Sequence, residues 1–153
     1  MSELVTGSAS VVINRPAADV FDAIADVTRI GDWRPENTGA RWVDGATGPA
    51  VGVKFEGDNE AKVGPITLKK WTTTSEITAY EPASVFEFVT EDHTTWRYEF
   101  APEGDATRVT ESVSHPPYEG WQKFAYETVA RRSTAIVTGM QRTLEQLKAA
   151  LEA

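Results

Sequence analysis

The chain has 153 residues, enough for one domain to bury roughly 68–70% of the surface its unfolded form exposes, with no need of a disulfide or metal staple. Its formal net charge is −8, from 23 acidic against 15 basic residues, and no basic cluster stands out beyond Lys69-Lys70 and Arg131-Arg132, so nucleic acid and anionic membrane are poor partners. Cysteine is absent, which excludes disulfides and thiolate metal sites and fits a reducing compartment.

Met1 to Gly7 carries neither a basic patch nor an apolar core of signal-peptide length, and no apolar run approaches about 18 residues. The expectation is a cytoplasmic protein without integral membrane association, one domain over residues 1–153, monomer or homodimer. Ala9, Val11 and Ile13 then alternate with small or polar neighbours as a first strand. Pro16 falls where a helix begins and its missing donor costs nothing, and Asp19 sits near the positive end. Val20, Phe21, Ile24 and Val27 follow at helical spacing, predicting a short helix to about Ala25. Asp26 can cap a second short helix carrying Ile30 and Trp33, which Pro35 stops.

From Thr38 to about Ser114 the apolar pattern has period two, and Trp42 lies in the second strand. Val51, Val53 and Phe55 read as one inward set, and Trp71, Thr73, Ser75, Ile77 and Ala79 as another. Phe86 and Phe88 follow, then Trp96, Tyr98 and Phe100, then Val109 and Val113. Turn signals at Asp44-Gly45, Gly64-Pro65, Glu81-Pro82, Glu91-Asp92 and Gly104-Asp105 separate the runs, so six strands form an antiparallel meander and the first strand makes about seven.

A proline-free run from about Glu119 to Glu152 reads as one long helix, roughly 45–50 Å at about 1.5 Å per residue. At about 100° per residue, Ala125, Val129, Met140, Leu144, Leu147 and Leu151 fall within about 80° of Ile136. Glu127, Arg131, Thr138, Arg142, Glu145 and Lys148 form the solvated back. Ser133 sits in the middle of the apolar stripe and Arg132 on its shoulder, while Gly139 on the flank suggests a bend or a close backbone approach. A helix of this length must lie on a broad, curved sheet, and a gap is left wherever sheet curvature exceeds helix radius. The fold class is therefore α+β, with the order strand, two short helices, six strands, long helix.

In that order the chain resembles the START-like (SRPBCC) superfamily with its helix-grip fold, and within it the polyketide cyclase/dehydrase and lipid-transport group. The resemblance spans nearly the whole chain. It rests on Pro16-Ala17-Ala18-Asp19-Val20-Phe21, on Asp32-Trp33-Arg34-Pro35-Glu36 and on the spaced set Gly52, Phe55, Gly57 and Asn59. It continues through Trp71-Thr72-Thr73-Thr74, the hairpin Trp96 to Phe100 and Thr107 to Ser112, and Arg131-Arg132-Ser133. It implies a cavity between sheet and helix, and not a chemistry, because lipid carriers, aromatase/cyclases and hormone receptors share the shape.

The candidate lining is Trp33, Phe55, Asn59, Trp71, Phe88, Trp96, Tyr98, Glu111, Tyr126, Val129, Ser133, Ile136 and Met140. Most of the aromatic stock belongs to the core, and what exceeds that need suits an apolar pocket. Asn59 is disfavoured in a strand, so it either bonds a neighbouring turn or faces the cavity beside Phe55. Glu111 shares the strand phase of Val109 and Val113. Its carboxylate would be desolvated there, favouring the protonated form unless a cation such as Arg132 is near. A buried ion pair, a ligand anchor and a general acid/base remain open for it. His115 continues the same phase to the strand end, and His93 sits in a hairpin turn.

Two histidines so spaced do not spell a metal set, no Gly-x-Ser-x-Gly elbow occurs, and no loop cradles phosphate, so no metal or cofactor is expected. Two functions follow. One is a binding or carrier protein for a small hydrophobic molecule. The other is a polyketide cyclase/aromatase-type enzyme in which Glu111 or His115 moves a proton while Arg132 or Tyr98 stabilises an enolate. A protein-interaction or toxin-like operon partner is compatible with the superfamily but has no residue to speak for it.

Overall fold

The computed structural model describes residues 5–32, 37–63, 65–91, 93–116 and 126–153, with the side chains of 5, 30–32, 37–38, 61–63, 68–69 and 126–136 left aside. Seven strands form one antiparallel sheet: β1 (Val5–Ile13), β2 (Asn37–Trp42), β3 (Lys54–Val63), β4 (Ile66–Glu81), β5 (Val85–Thr90), β6 (Thr95–Glu103) and β7 (Ala106–His115). The strand order is β1-β7-β6-β5-β4-β3-β2, so the chain meanders from β2 to β7 and β1 closes the far edge. Helix α1 (Ala17–Ala25) and a 3₁₀ turn (Val27–Asp32) follow β1, and α2 (Tyr126–Glu152) ends the chain. The predicted start of the long helix at Glu119 lies outside the described residues.

Register fixes which side chains point inward. The rows Val11↔Val109↔Phe100, Phe86↔Tyr98↔Glu111 and Ile77↔Phe88↔Trp96↔Val113 all lie on the concave face. The convex face carries exposed or half-buried pairs instead, Arg41–Asp58 at 2.9 Å, Arg97–Glu87 at 2.9 Å and Arg108–Glu103 at 2.8 Å. Such pairs contribute little to stability, about 0–1 kcal/mol each, and mark a solvated side.

One end of the concave face is filled. Phe21 of α1 meets Phe100, Tyr80 and Phe86 edge to face, with ring centroids 5.2, 5.4 and 6.3 Å apart. Ile13, Val20, Ile24, Ile77, Val109, Leu144 and Leu147 complete a buried cluster there. Asp26 caps the 3₁₀ turn as its spacing predicts, its carboxylate accepting from the Thr28 amide at 3.2 Å.

The last turns of α2 are tied to the open edge of β1. Gln141 Nε2 donates to the Ser10 carbonyl (3.3 Å) and Lys148 Nζ to the Val12 carbonyl (2.7 Å), while Arg15 Nε donates to the Leu151 carbonyl (2.7 Å). Lys148, expected on the solvated back, is thus drawn to the sheet, because its long stem reaches the edge carbonyls that β7 does not use. The predicted inward faces of Met140, Leu144 and Leu147 are buried, at 2%, 0% and 1% exposure.

Three expectations need correction. Val51 is 64% exposed and precedes β3, because Gly52 at φ 90° turns the chain there; only Val53 reaches the core. Ala79 is not inward: a register shift after Ile77 sets Ala79 opposite Glu87 and Tyr80 opposite Phe86, so the bulge hands the inward place to Tyr80. Among the described residues nothing lies within 4 Å of where a Cβ on Gly139 would stand, so the close approach expected as one reading of that glycine is not found there. The close approach is at Gly7 on β1, where a Cβ would lie 2.8 Å from Val137 Cγ2.

Candidate functional site

The other end of the concave face is built differently. On β3 and β4 the inward positions are Phe55, Gly57 and Asn59, paired with Ser75, Thr73 and Trp71. On β5, Thr90 pairs with Ser75. Beyond Thr90, β4 has no β5 partner, so Trp71, Thr73 and Asn59 stand on an arm of β2, β3 and β4 reaching past the rest of the sheet. Asn59, Trp71, Thr73 and Trp96 are half-buried, whereas Phe55 and Phe88 are nearly closed off at 4% and 5% exposure. Their rings, 5.1 Å apart, form the boundary between this region and the packed end.

Asn59 does face inward. Its Nδ2 donates to the Gly57 carbonyl and to Thr73 Oγ1, both at 3.3 Å, so it bonds its own strand and its neighbour at once. Two strands further along the meander, Tyr98 of β6 lies directly opposite Glu111 of β7, and Ala9 of β1 flanks Glu111 on the other side. Both polar residues are inside, Glu111 at 0% and Tyr98 at 1% exposure. The short side chain of Ala9 leaves the Glu111 carboxyl room, and the strand phase that predicts an inward Glu111 is the observed one. A buried carboxyl carries a large desolvation cost and is kept where it has work or a partner.

His115 ends β7 in the same phase, half-buried, with its Nδ1 at 2.9 Å from the Pro116 carbonyl. A carbonyl only accepts, so Nδ1 is the donor in this contact. His93 is exposed in the β5–β6 turn, in the left-handed region at φ 65°.

The structure brings Phe55, Asn59, Trp71, Phe88, Trp96, Tyr98 and Glu111 onto one face, as two polar groups rather than one: Asn59 with Thr73 and Ser75, and Tyr98 with Glu111. Four strand spacings of about 4.8 Å separate Asn59 from Glu111 along the sheet, so the two ends do not share a hydrogen bond. Met140 belongs to the packing against Gly7, with its Cε 3.7 Å from where a Cβ would stand. Trp33 lies outside the described residues. So do the side chains of Tyr126, Val129, Arg132, Ser133 and Ile136 in the first turns of α2, including the proposed cation for Glu111.

Thr73 and Ser75 were legible as inward by alternation but not as members of a polar group, because only register shows that they flank Asn59 and Phe55. A depression of about 530 Å³ opens elsewhere, between the β1–α1 junction and the β6–β7 turn, lined by residues such as Pro16, Pro102 and Asp105. Two polar groups there are already engaged, Arg15 Nε with the Leu151 carbonyl and Thr107 Oγ1 with the Arg15 carbonyl at 2.9 Å, so it is a seam between elements and not the predicted vessel. Among the described residues no helix is long and apolar enough to cross a membrane.

A family model described as polyketide cyclase/dehydrase and lipid transport matches residues 5–152. Among solved structures, a polyketide cyclase-like protein of Corynebacterium glutamicum, Cgl2372, is similar at 30% identity over 99% of this chain and 94% of that one, with a TM-score of 0.70. Ms6760 of Mycobacterium smegmatis is similar at 20% identity over 97% and 91%, with a TM-score of 0.68. BexL, a di-domain aromatase/cyclase of the BE-7585A pathway, is similar at 20% identity over 98% of this chain and 50% of that one, with a TM-score of 0.75. At those identities the last two speak for the fold alone. No curated protein sequence matches.

Proposed function

The chain belongs to the polyketide cyclase/dehydrase and lipid transport family, and on that premise we propose that it binds or carries a small hydrophobic molecule, a lipid or an aromatic, polyketide-like compound, between the concave sheet face and α2. The observation that carries this reading is the change of chemistry along the strands. Where α1 and the end of α2 cover the face, the inward positions are mostly aliphatic or aromatic. Past Phe55 on the β3–β4 arm they become Asn59, Thr73 and Trp71, with Ser75 and Thr90 beside Phe55, the mixture of aromatic wall and few polar groups that small-molecule sites use.

Purification from the protein's own host followed by native mass spectrometry tests it by looking for a co-purifying small molecule. In solution, 1-anilinonaphthalene-8-sulfonate is expected to bind at one site per chain, and Thr73→Trp is expected to abolish that binding with little change in melting temperature. Dye binding untouched by that substitution counts against this location.

A second reading is favoured by one residue. Glu111 is wholly buried beside Tyr98, and on this reading it would act as acid/base for an enolisation in a confined chain, the chemistry of a cyclase. Glu111→Gln distinguishes the two. Altered ligand affinity or stability with an unchanged cyclisation rate speaks for the carrier; a loss beyond about a hundredfold in that rate, with folding intact, speaks for the enzyme.

A further inference from the structure

We infer that Asn59 and Thr73 determine specificity at this site by recognising a ligand hydroxyl, alcohol or phenol, so that the bound molecule is oxygenated at the end lying over the β3–β4 arm. The inference rests on the small-molecule reading above and adds what the arm selects. Its starting point is the orientation of the Asn59 amide. A main-chain carbonyl can only accept, so the atom 3.3 Å from the Gly57 carbonyl must be Nδ2, which excludes the flipped amide. The second amide proton goes to Thr73 Oγ1, also at 3.3 Å.

Both Asn59 donors are therefore used, and what the amide has left is its Oδ1 acceptor. Thr73 Oγ1 already accepts, and among the described residues nothing takes its own proton. The pair thus presents one acceptor and one donor side by side, which complements a hydroxyl, the group that gives one hydrogen bond and takes another. A carbonyl would use only the Thr73 donor, and a hydrocarbon neither.

Local geometry supports the pairing. Gly57 lies directly opposite Thr73 in register, so no side chain stands between Asn59 and Thr73. Both residues are half-buried on the inward face, with Trp71 opposite Asn59 as an aromatic wall. The donated half of the amide ties Asn59 to its own strand and to β4. The unused half is the part that a ligand can read. A site built to bond a hydroxyl discriminates against the analogue lacking it, because its polar groups are then left unmatched.

The test compares naphthalene with 2-naphthol, which differ by one hydroxyl, in fluorescence titrations of the wild-type chain, Asn59→Leu, Thr73→Val and Thr73→Ser. The expected result is that the preference for 2-naphthol falls about fivefold to tenfold in Thr73→Val and Asn59→Leu and stays within about twofold in Thr73→Ser, with naphthalene affinity nearly constant throughout. Thr73→Val is close to isosteric, so it carries the test if Asn59→Leu does not fold, and melting curves identify that case. A preference unchanged in Thr73→Val, with saturable 1-anilinonaphthalene-8-sulfonate binding intact, overturns the assignment and leaves the small-molecule reading standing. No saturable binding of the dye or of either naphthalene by the wild type overturns both.

Discussion

The two ends of one concave face make opposite use of the same strands. On β7 the inward series runs Thr107, Val109, Glu111, Val113 and His115, and on β6 it runs from Phe100 through Tyr98 to Trp96. Toward α1 these positions are closed by Phe21 and Leu144, at 1% and 0% exposure. Toward the β5–β6 turn they pass through the Tyr98 phenol and Glu111 carboxyl to the Trp96 indole, Val113 and the His115 imidazole. A strand offers every second residue to the same side whatever its identity, so stability can be concentrated at one end and recognition at the other without changing the backbone. Inward polar groups cost free energy unless matched, and the packed end is what offsets that cost.

The sharpest way to break this comparison is to remove a large ring from each end. Phe21→Ala empties the junction of three aromatic contacts and is expected to lose about 3–5 kcal/mol in urea denaturation. Trp71→Ala, at a half-buried inward position, is expected to lose less than half of that while weakening dye binding. Equal losses would mean that both ends are core.

The comparison also explains how much was legible beforehand. Strand phase told which residues face inward, because period-two alternation survives in every strand from β5 to β7. It failed at Ala79, where a bulge adds a residue without a Gly or Pro to mark it, and at Val51, where a β-branched residue next to Gly52 looked like strand and is turn. Glu111 was readable from its phase alone. The Asn59–Thr73 bond was not, since it depends on the β3–β4 register. Gly7 was the unread signal: a glycine inside a strand often marks a close backbone approach, and here Val137 of α2 fills the space its missing side chain leaves.

A smaller effect sharpens the contrast between the two ends through their turns. Ala83 in the β4–β5 turn has φ 62° and His93 in the β5–β6 turn φ 65°, a region where only glycine is unstrained. Ala83→Gly and His93→Gly are each expected to gain about 0.5–1 kcal/mol, read as a rise of roughly 1–4 °C in melting temperature. Both should slow the exchange of those β4 and β5 amides that open only by global unfolding, by the same free energy that raises the melting temperature.

The smallest expected effect is a pH dependence at the packed end. Lys148 first, and then the Asn14 amide, hold the Glu152 carboxyl below its ordinary value of 4.5. A depressed carboxyl contributes stability that is present above its unfolded value and is lost as the pH falls through the folded one, so the loss falls below about pH 4.5. In denaturation at pH 6 and pH 3, Lys148→Met is expected to reduce that difference slightly, because the pair lies at the surface and is screened by solvent. No reduction would place the acid sensitivity elsewhere.

The two donors that α2 sends to β1, and the one it receives from the loop after β1, give the helix terminus a guarding duty as well as a packing one. Gln141 and Lys148 occupy carbonyls that would otherwise invite a foreign strand to dock, and Arg15 fastens the last turn in return. Clipping the chain after Met140 would therefore unveil a sticky border along the sheet, and such a truncated product is expected to self-associate by strand addition.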